Sequence, residues 1–180
     1  HLPAVAHAVK ENIMKVEDWI RINKLTPRLV DVLPNGPKGF PTSVFFSSGG
    51  VPEVMLKLRD EGLLNLDVVT STGLTLKENL DWWEQSEKRD FVRKQLRNTR
   101  NIDPEDVVHS LKNSKKKNMT STVTFPKGNI SPEGSVVKST AIDKTVIDDD
   151  GVYRKIGPAR IFISEADAIK AVKDKGENGV

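Results

Sequence analysis

The chain has 180 residues, with 28 basic and 25 acidic side chains, a formal net charge of +3 and no cysteine. This charge is too small to argue for nucleic acid or an anionic membrane as a partner, and the lack of cysteine excludes a disulfide or a thiolate metal site within these residues. The length suits one domain or two small ones, and the composition predicts a soluble protein, for which a cytoplasmic location fits.

The two ends of the sequence predict a piece of a longer protein. Residues 1–5 contain no initiator methionine and no signal-peptide layout, and they begin like the middle of a helix. Residues 175–180 stop without a closing element.

Patterns of helices separated by short strands occupy the first part of the chain. Apolar spacing predicts three helices, at residues 2–9, 16–24 and 47–62, and two short strands, at 29–33 and 67–70. The helix at 47–62 has a capping serine in Ser48, a first-turn proline in Pro52 and a terminating glycine in Gly62. Thr75 and Glu78 form the capping box of a further helix.

Two features of this region have both a structural and a functional interpretation. Gly49 and Gly50 leave backbone N–H groups at the positive end of a helix, which suits an anion such as a carboxylate. A plain loop-to-helix junction is the alternative, and the favoured one. Trp82 and Trp83 would suit a sugar platform, but paired tryptophans beside a capped helix are more often part of a core.

Near Asn118 the pattern changes from helix-rich to strand-rich. A charge-dense stretch at 84–100 and a basic run at 115–117 precede the change. Beyond it, β-branched and aromatic residues predict strands, at 122–125, 135–139, 144–147 and 159–163, followed by a helix that Ser164 and Asp167 cap. We therefore predict two domains, 1–118 and 119–180.

A short loop between two of the predicted strands organises the second part of the chain. Residues 126–134 contain two prolines and two glycines, so the loop is expected to hold one backbone shape. Restricted loops on a scaffold are common positions for ligand-binding groups, and this one exposes Asn129, Ser131 and Glu133. A plain hairpin connection is the alternative, and composition alone favours it.

No self-contained active site follows from the spacing of chemically active residues. The three histidines, His1, His7 and His109, do not stand beside another histidine or a carboxylate at metal-ligand spacing. Nucleophile-elbow, Walker and dinucleotide-binding motifs are absent from the sequence. The acidic turn at 148–151 lacks the ligand spacing of a calcium loop and predicts a solvated turn. From the residues alone, the chain is an α/β piece with two domains.

Several longer segments, in order along nearly the whole chain, resemble the dihydroxyacid dehydratase/phosphogluconate dehydratase family. They are GGVPEVM at 49–55, TGLTLKENL at 72–80, FPKGNISPEGSVVK at 125–138 and GPARIF at 157–162. Three further segments resemble the bacterial D-xylonate dehydratase branch of that family: DWIRINK at 18–24, VLPNGP at 32–37 and DWWE at 81–84.

The resemblance implies an α/β fold in which the end of a helix-rich N-terminal α/β domain precedes the start of a β-rich, barrel-like C-terminal domain. It also implies a hydro-lyase that converts an aldonic acid such as D-xylonate to its 2-keto-3-deoxy acid, with an iron–sulfur cluster and magnesium. In the family, the cysteine, aspartate and modified-lysine ligands belong to segments before His1. The metal glutamate and the catalytic serine belong to segments after Val180. No catalytic or metal-binding residue is therefore assigned to this chain.

Substrate contact is the role that the resemblance leaves for this chain. Asn129, Ser131 and Glu133 in the loop and Lys138 on the following strand are the predicted substrate-binding residues. Amide and hydroxyl groups would bind sugar hydroxyls, and an ammonium group would pair with a carboxylate.

The expected partner is a small sugar acid, with neither nucleic acid nor a membrane involved, and the full-length protein is expected to form a homo-oligomer. The alternative is a non-catalytic truncated paralogue that binds a sugar acid or a partner subunit. A nucleic-acid binder, suggested by the basic run, is the least favoured hypothesis because no aromatic residues are interleaved with the lysines.

Overall fold

The computed structural model describes residues 2–10 and 14–174, and this part of the chain is mainly helical. Its α-helices are α1 Leu2–Ala8, α2 Val16–Leu25, α3 Thr42–Ser47, α4 Gly50–Asp60, α5 Leu76–Glu84, α6 Glu87–Arg100, α7 Leu111–Lys116 and α8 Glu165–Lys173. Short 3₁₀ turns lie at Pro104–Asp106, Ser139–Ala141 and Lys144–Val146. The chain divides into two compact units, His1–Ala141 and Ile142–Val180. Within the described ranges, no helix has the length and apolarity needed to cross a membrane.

Helix starts agree with the sequence prediction where the capping side chain is close in sequence. The hydroxyl of Thr75 accepts a hydrogen bond from the N–H of Glu78 at 3.2 Å, and the carboxylate of Glu78 accepts one from the N–H of Thr75 at 2.7 Å. At the start of α8, the hydroxyl of Ser164 accepts from the N–H of Asp167 at 3.2 Å. These caps satisfy donors that the first turn leaves free, so local sequence is enough to specify them.

The predicted helix at 47–62 consists of two helices, α3 and α4, so the predicted continuity was wrong. Gly49 and Gly50 have φ angles of 114° and 65°, which a right-handed helix cannot contain, and the chain turns there. Ser48 belongs to the end of α3, where its hydroxyl donates a hydrogen bond back into that helix at 2.7 Å, and it does not cap α4. Gly62 follows α4 with a φ of 68°, as predicted.

None of the predicted strands is a continuous strand in the part of the chain that the structure describes. Pairing in the described part is limited to isolated bridges, which join Val30 to Val108, Val69 to Thr75, Thr124 to Val137 and Ile147 to Tyr153. The predicted strand at 159–163 has no bridge to any described residue, and Ile161 and Ile163 are 86% and 99% exposed. A strand needs a neighbour to satisfy its backbone groups, so an alternating pattern without one stays irregular. The barrel-like domain remains a prediction.

The first unit has a small apolar core where α3 and α6 meet the chain that follows Pro104–Asp106. Its buried members, each at most 2% exposed, are Val44, Leu96, Val107 and Val108. Two backbone hydrogen bonds attach the segment 29–31 to this core. The N–H of Asp31 donates to the carbonyl of Val107 at 2.9 Å, and the N–H of His109 donates to the carbonyl of Leu29 at 2.8 Å. This pairing is the confirmed part of the predicted strand at 29–33.

The short helix α7, which the sequence analysis missed, ends in a tightly bonded turn. The N–H of Asn118 donates to the carbonyl of Lys115 at 3.1 Å, and the N–H of Met119 donates to that of Ser114 at 3.0 Å. Asn118 has a φ of 52°, as is typical of a Schellman motif. Met119 is buried, and its carbonyl accepts from the N–H of Arg28 at 3.1 Å. This turn is therefore attached to the first unit, and the domain boundary after residue 118 stays a prediction.

Replacing Asn118 with glycine is expected to stabilise the protein by about 0.5 kcal/mol, because glycine adopts a positive φ without strain. Valine at the same position is expected to cost about 1–2 kcal/mol, because its side chain clashes with the backbone in this conformation. Urea unfolding, followed by tryptophan fluorescence, measures both changes. Asn98→Gly is the control: this residue is exposed within α6, where glycine is expected to destabilise by a few tenths of a kcal/mol. A loss of stability in Asn118→Gly would contradict the interpretation.

Candidate functional site

The predicted hairpin is present as one pair of residues joined by backbone hydrogen bonds, and further hydrogen bonds close the loop at its tip. The N–H of Thr124 donates to the carbonyl of Val137 at 2.8 Å, and the N–H of Val137 donates back at 2.9 Å. Nearer the loop, the carbonyl of Pro126 accepts from the N–H of Ser135 at 2.9 Å and from its hydroxyl at 3.2 Å. The chain between Pro126 and Ser135 is therefore a closed loop, which we call the organising loop.

Hydrogen bonds within the organising loop hold its shape. Gly128 and Ser131 exchange backbone hydrogen bonds of 3.1 and 3.3 Å, and the N–H of Gly134 donates to the carbonyl of Ser131 at 3.0 Å. The hydroxyl of Ser131 donates to the carbonyl of Gly134 at 2.9 Å, and Gly134 has a φ of 97°. The hydroxyl proton of Ser131 is thus used inside the loop, so its oxygen is left to act towards a ligand as an acceptor.

The predicted substrate contacts do not share one cleft. Asn129, Glu133 and Lys138 are exposed, and Ser131 is half-buried. Two clefts beside the hairpin are lined by residues that the structure describes. Of the four predicted contacts, only Glu133 lines one of them. Its cleft has a volume of about 430 Å³ between α2 and the hairpin, and mainly apolar residues line the rest: Val16, Trp19, Val123, Phe125 and Val136. An apolar cleft with a carboxylate at its edge does not suit the carboxylate group of a sugar acid.

A second cleft, of about 450 Å³, shares Phe125 and offers more polar groups. Asn23 and Lys24 of α2 line it together with Ser121 and Thr124 at the base of the hairpin. The sequence analysis did not single out these four residues. The two residues on α2 and the two at the base of the hairpin lie about 100 positions apart along the chain, so no local motif unites them.

A buried ion-pair network holds α4, α5 and α6 together. Glu53 is 1% exposed, and its carboxylate accepts hydrogen bonds from Arg89 at 2.5 Å, from Arg93 at 2.9 Å and from the indole of Trp83 at 3.1 Å. Arg93 also donates to Glu105 at 2.6 Å. Burial opposes ionisation of Glu105, but hydrogen bonds from Lys57 and Arg93 outweigh it and lower the pKa of that carboxyl group.

This network decides between the interpretations of the paired glycines and the paired tryptophans. The N–H of Gly49 donates to the carbonyl of Phe46 at 3.1 Å, and the carboxylate of Glu53 already lies at this helix start. Trp83 is held by Glu53, while Trp82 is 64% exposed and its ring is tilted by 48° to that of Trp83. The glycines therefore form a helix junction, and Trp83 packs against the network, whereas Trp82 is exposed and is not part of a core.

Asp31 and His109 form a buried pair, at 0% and 1% exposure. Nε2 of His109 lies 3.7 Å from Oδ2 of Asp31 and 3.4 Å from Nζ of Lys117. Burial lowers the pKa of His109, and the charge of Lys117 lowers it further, so the ring is neutral at neutral pH. Oδ1 of Asp31 accepts from the N–H of Lys38 at 3.0 Å, which ties the turn at 34–37 to the core.

An arginine closes the acidic turn at 148–151, which is a turn, as predicted. Arg154 donates to the carboxylate of Asp148 at 2.8 Å and to both carboxylate oxygens of Asp150, at 2.9 and 2.7 Å. Hydrogen bonding from Arg154 lowers the pKa of Asp150. Among the residues that the structure describes, no group of three or more histidine or acidic side chains could hold a metal ion.

Sequence comparison identifies the class of protein. Residues 1–79 match the family described as dihydroxy-acid/6-phosphogluconate dehydratase, N-terminal. A dihydroxy-acid dehydratase of Picrophilus torridus is 36% identical over 174 residues, which cover 97% of this chain and 26% of that protein. The chain therefore resembles the dihydroxy-acid/6-phosphogluconate dehydratase family along nearly its whole length.

Within this family, the chain is more similar to two D-xylonate dehydratases of Escherichia coli K12. It is 56% identical to D-xylonate dehydratase YagF and 54% identical to D-xylonate dehydratase YjhG, each over 173 residues. Both matches cover 96% of this chain but 26% of the relative. The chain thus spans about a quarter of the length of the curated relatives that it matches.

Proposed function

We propose that the chain is part of a sugar-acid dehydratase that converts an aldonic acid such as D-xylonate to its 2-keto-3-deoxy acid. The observation that carries this proposal is the contrast in identity. The sequence identity is 56% and 54% to the two D-xylonate dehydratases and 36% to the dihydroxy-acid dehydratase, over almost the same number of residues. A cytoplasmic location and a homo-oligomeric state remain predictions for the full-length protein.

The residues of this chain do not fit the metal groups that the family implies. The chain has no cysteine, and its described residues contain no cluster of histidine and acidic side chains for a metal ion. We propose that the iron–sulfur cluster and the magnesium ion are bound by parts of the protein outside these 180 residues. No catalytic step is assigned to any residue of this chain.

The proposed contribution of this chain is a rigid scaffold and part of the substrate-binding wall. The helices of the first unit and the Glu53 network support the scaffold role. For the wall we propose Asn129, Ser131, Glu133 and Lys138, on the organising loop and just after it. We also propose that residues 119–180 open a β-rich domain, because the exposed Ile161 and Ile163 alternate as a strand does and need neighbours to bury them.

The role of Lys138 is tested in the iron-loaded full-length protein, by following the 2-keto-3-deoxy acid formed from D-xylonate. Lys138→Met is expected to raise KM about tenfold, because a charge-assisted hydrogen bond to the substrate carboxylate is lost. Lys127→Met is the matched control, since Lys127 is an exposed lysine of the nearby organising loop and is assigned no contact. Equal KM values for the two variants would contradict the role of Lys138.

An iron-loaded wild-type protein that produces no keto acid from any sugar acid would overturn the dehydratase proposal. In that case a saturable calorimetric titration with D-xylonate would favour the non-catalytic binding module. A flat titration would count against both functions.

A further inference from the structure

The base of the hairpin is attached to two asparagines from the beginning of the chain. The side-chain amide of Asn23, on α2, donates a hydrogen bond to the carbonyl oxygen of Val123. The hydroxyl of Thr140 donates to Oδ1 of Asn35, in the turn at 34–37, at 3.0 Å. The two contacts join residues that are 100 and 105 positions apart.

Position and shape of the organising loop are determined by different bonds. Bonds within the loop, such as those between Gly128 and Ser131, fix its shape and would move with it as a unit. They do not fix its location relative to α2. The two strands of the hairpin share one bonded pair, Thr124 with Val137, and an isolated two-stranded hairpin is marginally stable in water. Contacts at the base must therefore hold the loop in place.

The two sides of the base are also joined to each other. The hydroxyl of Ser139 donates to the carbonyl of Ser121 at 2.9 Å, and the hydroxyl of Ser121 donates to the carbonyl of Val123 at 3.2 Å. Asn23 thus holds one side of a connected base and Asn35 holds the other. The hydrogen bond of Asn23 is half-buried, where its loss costs more than it would on the open surface, whereas the bond between Thr140 and Asn35 is exposed.

We propose that Asn23 and Asn35 are positioning residues that act as a clamp on the base of the hairpin and set the place of the organising loop. The part of this proposal that concerns substrate rests on the proposed function, because the clamp would present Asn129, Ser131 and Glu133 to a sugar acid. The placement of the loop itself does not depend on what the protein binds.

Two isosteric substitutions separate the clamp from a general effect on folding. Asn23 acts as a donor, so Asn23→Asp removes the hydrogen bond and places a carboxylate against the carbonyl of Val123. Asn35 acts as an acceptor, so Asn35→Asp keeps the oxygen that receives the proton of Thr140. The clamp therefore predicts a large effect at the first position and little effect at the second. Asn98→Asp, on the exposed face of α6, controls for the added charge.

The first readout needs no activity: it is the rate at which trypsin cuts the full-length protein after Lys127, followed by mass spectrometry. Loss of one hydrogen bond raises the open population about fivefold, and cleavage under native conditions follows that population. We expect Asn23→Asp to be cut about fivefold faster than wild type, and Asn35→Asp and Asn98→Asp to be cut at the wild-type rate. Thr140→Val, a milder change at an exposed position, removes the hydroxyl that donates to Asn35 and is also expected to accelerate cleavage. It tests the clamp even if Asn23→Asp does not fold.

The second readout is the division of the kinetic effect between KM and kcat for D-xylonate. A displaced loop is expected to raise KM several-fold in Asn23→Asp with a smaller change in kcat, and to leave Asn35→Asp unchanged. Cleavage rates of Asn23→Asp and Thr140→Val equal to that of Asn98→Asp would overturn the clamp. Faster cleavage with unchanged KM would overturn its role towards the substrate. Faster cleavage in a protein without dehydratase activity would leave the clamp standing while the proposed function fails.

Discussion

Replacing Glu53 with alanine is expected to lower the free energy of unfolding by about 3–5 kcal/mol, the usual cost of removing one partner from a buried ion pair. The carboxylate is 1% exposed and holds Arg89, Arg93 and Trp83, which lie on two different helices. Alanine would leave the guanidinium group of Arg93, 7% exposed, without this carboxylate in a poorly hydrated place. The loss should therefore far exceed that of a surface ion pair.

Urea unfolding followed by tryptophan fluorescence suits this measurement, because the indole of Trp83 donates directly to Glu53. Glu61→Ala is the matched control: Glu61 is an exposed glutamate at the end of α4, and its loss is expected to change stability by no more than about 0.5 kcal/mol. If both variants lose the same stability, the network does not hold these helices together.

A double-mutant cycle with Arg93→Met tests the pairing itself. The double variant Glu53→Ala/Arg93→Met is expected to be more stable than the sum of the single effects implies, by about 1–3 kcal/mol. Each single change leaves a buried charge without one of its partners, whereas the double change removes both members of the pair. Strict additivity would mean that the two groups do not interact across the boundary between α4 and α6.

Local signals predicted the parts of this fold that neighbouring residues determine. The cap of α5 depends on Thr75 and Glu78, three positions apart, and the structure confirms it. The hairpin at 124–137 is likewise signalled by a loop whose prolines and glycines restrict the backbone. The predicted helix at 47–62 failed at Gly49, because its apolar spacing continues across a turn that only the positive φ angles reveal.

Contacts between distant residues could not be read from the sequence. Glu53 and Arg93 are 40 positions apart, and the carboxylate that faces His109 in the fold belongs to Asp31, far earlier in the chain. The predicted strand at 159–163 failed for a related reason: alternation describes a surface that needs a partner, and the described residues contain none for it. For the candidate site, the sequence indicated the organising loop but not Asn23 or Asn35, because their contacts with the hairpin span about 100 residues.

Replacing Gly49 with alanine is expected to cost about 3 kcal/mol or more, which exceeds the cost of a positive φ angle alone. A Cβ atom at this position would lie 2.2 Å from Cγ of Glu53, well inside any allowed contact. The side chain of Glu53 cannot move aside freely, because Arg89 and Arg93 hold its carboxylate. The added methyl group must therefore displace either the helix junction or the buried ion pairs.

Gly62→Ala separates these two costs. Gly62 also has a positive φ, of 68°, but a Cβ atom there would meet nothing within 4 Å. Its replacement is expected to cost about 1 kcal/mol, from backbone strain alone. Similar losses for Gly49→Ala and Gly62→Ala in urea unfolding would rule out the clash with Glu53.

Combining Gly49→Ala with Glu53→Ala links the glycine junction to the ion-pair network. Once the side chain of Glu53 is shortened, the methyl group of Ala at position 49 no longer meets Cγ, and only the strain of the positive φ remains. The double variant should therefore lose about 1 kcal/mol relative to Glu53→Ala, and not the full cost of Gly49→Ala in the wild-type background. That outcome would mean that Gly49 is required chiefly because a buried carboxylate lies beneath it, and that the junction and the network form one structural unit.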